Sequence, residues 1–490
     1  MSMRSYFGNS ASLALCMLFL SACEVGPDYR RPKIDMPDLD TKEEISQFVS
    51  EKWWDVFQDA TLNHLEELAL KRNADLRQAV ANIDEARAAA GVASSNFLPA
   101  LGAKGEGGKS YASTRGKSYV PGLSSKRSAV DYLGTATASY ELDFFGKYRR
   151  ANEAARAILL STRAAKETVL LAVTADVARA YFLLRSLDAK LAIAQRTLKT
   201  RQESRQVYKS RFLNGYCTEF DYLRIESDML SVNTTVINLE AELAKAETSM
   251  SMLIGASPRE MINRVTAKDK AIEKLKVPSQ APTGIPSDIL ARRPDILQAE
   301  AQLIAANAKI GEARAAHFPS ISLTGIFGFE SSSLTNLFSA GSDMWSFGGG
   351  VNLPIFSGGK ISSLEDAAKA EYKKMLIAYE KSIQTAFKET LDALVSNRKN
   401  REIVVSRTSQ VNALKKSYHI ALKQKESGLI GLLDLLDVER GLLSAEMELV
   451  EALQNQLNAT VDLCKALGGG WQISQIRRRI NKKYHKMRHS

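Results

Sequence analysis

Cysteine and histidine are scarce: four and five in 490 residues. No zinc-type spacing is present, and so few thiols exclude a disulfide-rich scaffold. Proline and glycine are missing from two long windows, 147–214 and 360–427, although the chain holds 12 and 29 of them. Each window opens after a glycine (Gly146, Gly359) and closes before one (Gly215, Gly428). Without the two strongest helix interrupters, each window can run as one helix of roughly 100 Å. Long apolar runs are also missing. The one uncharged run, 11–22, is too short to span a bilayer as a mature helix. No phosphate-binding loop, metal constellation or nucleophile motif stands out, and Gly348-Gly349-Gly350 does not precede a helix. No catalytic residue, cofactor or metal is expected, so the chain is not read as an enzyme.

What is there begins with an address. Arg4 and the apolar run have the shape of a signal peptide over 1–22. The run ends in Leu20-Ser21-Ala22-Cys23, which resembles a bacterial lipoprotein signal, with Cys23 carrying lipid; the alternative is a chance cysteine after a plain signal. By the same resemblance, Glu24 argues against retention in the inner membrane. The net charge of +11 is partly held in the tail 471–490, where His485 and His489 also lie. An exported chain meets no nucleic acid, so the tail reads as a solvated terminus.

Within the first window Leu170, Val173, Val177, Ala180, Leu184, Leu187, Leu191, Ala194 and Leu198 recur at alternating steps of three and four. That is the seam of helices wound around each other. An Ala-rich helix is expected over 69–95. The pattern then repeats. Asn73-Ala74-Asp75-Leu76 corresponds to Arg293-Pro294-Asp295-Ile296, Pro99 to Pro319, Lys147 to Lys360, Gly215 to Gly428, Asp221 to Asp434 and Glu226 to Glu439. The chain reads as a tandem duplication. A lipidated linker over 23–60 precedes the first repeat, 61–255, with strands about 99–112 and 131–145. A linker, 256–290, leads to the second repeat, 291–470, with strands about 319–330 and 344–356.

The strand segments alternate with period two. Tyr132, Gly134, Ala136, Ala138 and Tyr140 share one face; so do Ile321, Leu323, Gly325, Phe327 and Phe329, and Trp345, Phe347, Gly349 and Val351. One apolar face and one polar face suit a transmembrane barrel, and also a half-buried soluble sheet. Four strands cannot close a barrel, and lipid does not tolerate an open edge. Spanning strands would therefore require several chains to share one barrel.

Cys23-Glu24-Val25-Gly26-Pro27-Asp28-Tyr29, Trp53-Trp54, Leu142-Asp143-Phe144-Phe145-Gly146-Lys147, Ala291-Arg292-Arg293-Pro294-Asp295 and Leu353-Pro354-Ile355-Phe356-Ser357-Gly358-Gly359 together resemble the TolC-type outer-membrane efflux proteins. The likeness is to their OprM-like, NodT-type lipoprotein branch and covers nearly the whole mature chain. It implies a mainly α protomer with a membrane β-barrel. A homotrimer would form a twelve-stranded barrel and an α-helical periplasmic tunnel. The implied partners are a periplasmic adaptor, an inner-membrane efflux pump and outer-membrane lipid. The turns near 215 and 428 become periplasmic tips, with a gate at Leu433, Asp434 and Asp437. The plainer reading of the two acids is solvated residues at a helix start. Asp221 has Arg224 beside it where a second acid would fall. Cys217 and Cys464 are then too far apart to pair, roughly 50 Å by helix rise. The implied function is passive export of drugs or other small molecules. The alternatives are a duct for ATP-driven protein secretion and a non-transporting coiled-coil surface protein.

Overall fold

A computed structural model describes residues 24–33, 50–111, 113, 128–262, 272–275, 277 and 293–469. The signal peptide, Cys23 and the basic tail lie outside the described residues.

Both glycine-free windows are continuous helices. Helices α1 (Ala60–Arg72) and α2 (Ala74–Ser95) precede α3 (Lys147–Leu213) and α4 (Glu219–Leu253). After the short α5 (Pro258–Ile262) come α6 (Pro294–Ala315), α7 (Lys360–Glu426) and α8 (Leu432–Ala466). Helices α3 and α7 have 67 residues each, and α4 and α8 have 35 each. Equal lengths in the two halves are what a duplication leaves behind.

The single helix expected over 69–95 is broken. Asn73 ends α1, and its side-chain oxygen accepts from the backbone N–H of Asp75 (2.9 Å) and Leu76 (3.1 Å), capping α2. Its amide donates to Leu253 O at 2.8 Å. In the second repeat Arg293 stands before Pro294 and donates to Ala466 O at 3.3 Å. Leu253 and Ala466 are the last residues of α4 and α8. Two different side chains do the same job.

The chain forms two compact units. The larger comprises Lys33–Ile83, Thr162–Ala299 and Tyr379–Ser490. The expected seam of α3 lies in its core: Val173, Val177, Leu184, Leu187 and Ala194 are buried, with Leu170, Ala180, Leu191 and Leu198 packed against them. The middle of α3 is covered more fully than a two-helix seam requires. A 3-10 turn, Trp53–Phe57, puts Phe57 edge-on to Phe182 with ring centroids 4.9 Å apart, and Trp53 Nε1 donates to Thr174 Oγ1 at 3.3 Å. A second such turn, Ile272–Lys274, sits in the linker and adds Ile272 and Leu275 to the same core.

The other unit comprises Met1–Pro32, Asp84–Ser161 and Glu300–Ala378. It holds strands β1 (Ala100–Tyr111), β2 (Ser128–Leu142), β3 (Ser320–Ser331) and β4 (Asp343–Asn352), antiparallel in the order β1-β2-β3-β4. Strand β2 starts before the expected 131, and β4 ends before the expected 356. Pro354 cannot donate to a ladder, and β4 stops two residues ahead of it. The register puts Ala136, Phe327 and Trp345 in one row, and Tyr140, Leu323 and Gly349 in another, so the apolar faces of β2, β3 and β4 coincide.

The segment after Cys23 is pinned in this unit. Val25 N donates to Phe145 O at 3.2 Å, and Asn307 donates to Pro27 O at 2.7 Å. The buried Arg150 pairs with Glu24 (3.2 Å), Asp28 (2.8 Å) and Glu153 (2.9 Å). Gly26 lies so close to Gly311 that a Cβ on either would meet main chain.

Candidate functional site

The sequence points to the turns at Gly215 and Gly428, which are built alike. Gly215 (φ 75°) and Gly428 (φ 73°) adopt the left-handed conformation that side chains disfavour. Tyr216 N donates to Arg211 O and Leu429 N to Gln424 O, both at 2.8 Å. Gly215 N reaches Phe212 O (3.0 Å) and Gly428 N reaches Lys425 O (3.1 Å). The last carbonyls of α3 and α7 are thereby satisfied and the helices end.

The next helices start with carboxylate caps. Asp221 Oδ2 accepts from Thr218 N (3.4 Å), and Asp221 N donates to Thr218 Oγ1 (3.2 Å). At α8, Gly431 N donates to Asp434 Oδ2 at 2.9 Å, with no side chain to return the bond. Asp434 thus uses its carboxylate to close back on the main chain at the start of α8. Asp437 lies one turn further on the same face, and both acids are exposed. Leu433 is also exposed, while Leu436 is buried.

Further along the hairpins the seam changes character. Its steps of three and four continue past Ala194 and Leu198 to Arg201 and Arg205. Arg205 pairs with Glu226 at 2.6 Å inside the first hairpin, and the Tyr222 hydroxyl donates to Glu226 at 3.1 Å. The hydrogen bond from Arg205 holds the Glu226 carboxyl below its usual range.

Arg201 does something different. Its side chain is 2% exposed and pairs with Asp228 (2.8 Å) and with Glu439 of α8. Arg440 reaches the other oxygen of Asp228 at 2.6 Å. Two cations and two anions thus join the halves. Burial pushes the Arg201 guanidinium below its ordinary value; Asp228 opposes that, and Arg440 adds to it. Arg196 and Lys415 both pair with Glu446 nearby. A cavity of about 200 Å³ opens beside them, with Thr200, Tyr418 and Leu443 on its wall. Sequence reasoning ended the seam at its last apolar residue. The signal for Arg201 was the heptad position itself.

Cys217 and Cys464 are free thiols, and burial pushes the Cys464 thiol up. Among the described residues, no cluster of three or more acid, His or Cys side chains is arranged to hold a metal ion, and no helix is long and apolar enough to cross a membrane.

A family model described as outer membrane efflux protein matches residues 65–256 and 285–469. A toluene efflux pump outer membrane protein of Pseudomonas putida, TtgC, is 33% identical over 469 residues, covering 94% of this chain and 95% of that protein. The cation efflux system protein CusC of Escherichia coli is 31% identical over 466 residues, covering 94% and 99%. Among solved structures, the CmeC outer membrane channel of Campylobacter jejuni matches with a TM-score of 0.87 at 26% identity, covering 94% and 98%. The open-state MtrE outer membrane channel of Neisseria gonorrhoeae matches at 0.79 and 32% identity, covering 91% and 98%. The duplicated hairpins, the four-stranded sheet and these matches over both repeats agree: the chain belongs to the outer membrane efflux protein family and is an efflux channel of the outer membrane.

Proposed function

We propose that this protein is the exit duct of a tripartite efflux system. A homotrimer would passively conduct drugs or other small molecules, delivered by an inner-membrane pump through a periplasmic adaptor. The observation that carries this reading is the sheet: four strands, a shared apolar face and two open edges, on a chain with two matched helical hairpins. Open edges in lipid cost too much, so copies must complete one another. Three copies give a twelve-stranded barrel. Conduction needs no chemistry from the protein. Relatives are named for toluene, solvents, antibiotics and cations, which favours small-molecule cargo over protein secretion.

Lipid on Cys23 fits the pinned segment behind it, because Val25 is bonded to Phe145, just past the end of β2. The gate falls to Leu433, Asp434 and Asp437. Three copies would bring six carboxylates together, and their mutual repulsion would favour cations.

The test is the purified protein in a planar bilayer, alongside its native mass. Trimer mass with stable channels is the expected result; a non-conducting monomer would overturn the duct. Asp437→Ala should alter conductance or cation selectivity, and no change in either sinks the gate. Cys23→Ala should abolish labelling by palmitate.

A further inference from the structure

Two ion pairs cross from the first hairpin to the second, Arg201 to Glu439 and Arg196 to Glu446. On α3 they stand five residues apart, roughly 7.5 Å along the helix. The cavity of about 200 Å³ lies in that interval, with one ion pair at each end. Between the ends, Thr197 and Thr200 of α3 form one wall, Leu442 and Leu443 of α8 a second, and Tyr418 of α7 a third.

These walls decide what can enter. The charges are already matched: Arg201 is held by Asp228 and Glu439, and Glu446 takes both Arg196 and Lys415. An entering ion must displace one of those partners and strand its charge, which is strongly unfavourable. Thr197 Oγ1 donates to Ile193 O at 3.0 Å, and Thr200 Oγ1 donates to Arg196 O at 3.3 Å. Each hydroxyl proton is used one turn back, so the two oxygens offer only lone pairs to the cavity. The wall of α3 therefore calls for a donor, and the wall of α8 calls for apolar surface. In size, a cavity of about 150 Å³ lined by apolar side chains takes benzene.

We propose that this cavity binds neutral, ring-sized molecules that carry a hydroxyl donor, of the phenol class. The ring packs on Leu442 and Leu443 beside Tyr418, and its hydroxyl donates to Thr197 or Thr200. Such a molecule touches both hairpins at once, so its presence adds to the two ion pairs in holding them together. The site is built within one chain and goes beyond the duct reading, because it does not depend on the assembly of copies.

The duplication shows that the lining is peculiar to this one place. The offset that relates Glu226 to Glu439 sets Ser409 and Leu414 where α3 has Arg196 and Arg201, and Asn233 where α8 has Glu446. Neither end pair has a counterpart. The same offset sets Arg205 where α7 has Tyr418, and Arg205 reaches for Glu226 inside its own hairpin. In one half this position makes an ion pair; in the other it presents an aromatic ring to a chamber closed at both ends by ion pairs.

The test is fluorine NMR of para-fluorophenol titrated into the full-length protein in detergent. Saturable binding with a dissociation constant on the order of 1 mM is expected. A linear, non-saturable response overturns the site. In the same unmodified protein, para-fluorobenzoate and para-fluorobenzylamine should each bind at least about tenfold more weakly, because each brings a charge. Equal or tighter binding of either overturns the neutral class. Leu443→Trp fills the cavity and leaves both ion pairs in place, so it should abolish saturable binding; binding that survives it places the ligand elsewhere and overturns the proposal. Thr197→Val with Thr200→Val removes the two acceptors. It should weaken para-fluorophenol about tenfold and leave fluorobenzene unchanged, whereas an equal loss for both overturns the role of the hydroxyls. The charge series needs no substitution, so a variant that fails to fold does not decide the matter. Loss of the site leaves the duct reading standing, since conduction makes no use of this cavity.

Discussion

The hairpins α3–α4 and α7–α8 have equal lengths and the same glycine turns, yet their charges differ. Glu226 and Glu439 occupy equivalent places. Glu226 is held within its own hairpin by Arg205, where the second hairpin has Tyr418. Glu439 instead reaches across to Arg201 of the first hairpin. After duplication, helix lengths and turns could not drift without breaking the fold, whereas the pairing of charges could. Glu226 is satisfied inside its own hairpin, whereas its counterpart Glu439 serves to tie the two hairpins together.

Substitutions can break or sharpen that contrast. The largest effect is expected at Trp53→Ala. Trp53 is fully buried against α3, and its removal should cost about 3–5 kcal/mol, read from urea unfolding in detergent. Arg201→Met leaves Glu439 without its partner and Asp228 with Arg440 alone, and should cost up to about 3–5 kcal/mol. It should also loosen the second hairpin, read as larger or more frequent channel openings; unchanged openings would confine the cluster to stability.

Glu66 gives a smaller, pH-dependent effect. It is buried in the larger unit with neither carboxylate oxygen hydrogen-bonded, and burial raises its pKa well above the usual carboxylate range. A raised carboxyl binds its proton more tightly when folded, so its contribution is present at acid pH and is lost as pH climbs towards the folded pKa. Glu66→Gln should therefore raise the melting temperature, by a margin that widens from about pH 5 towards neutrality. A margin independent of pH would refute the assignment. The smallest effect is expected at Arg205→Met, whose half-buried pair still reaches solvent and should shift the melting temperature only slightly.

Much of this was readable from residue order. The glycine-free windows marked the two long helices, and alternation marked the strands, because both signals are local. The break at Asn73 had a local signal that the alanine-rich run hid: asparagine is a favoured helix cap, and here it caps α2 while its amide reaches Leu253 O. Asp434 and Asp437 stand out by their place after Gly428, but the bond from Gly431 N to Asp434 is a matter of local geometry that residue order does not give. Arg201 was passed over because a seam is sought by its apolar residues, and a charge is tolerated there only when oppositely charged groups arrive from distant parts of the chain.

The pinned segment from Glu24 onward also bears on how copies meet. A lipid carried on Cys23 would hang from a fixed point on the folded chain and not from a loose tether. Such a chain would search for its copies across a surface instead of through a volume, already turned so that the same side faces the bilayer. Encounters would then be more frequent and fewer orientations wasted, so that the lipid would act as an assembly jig before serving as an anchor.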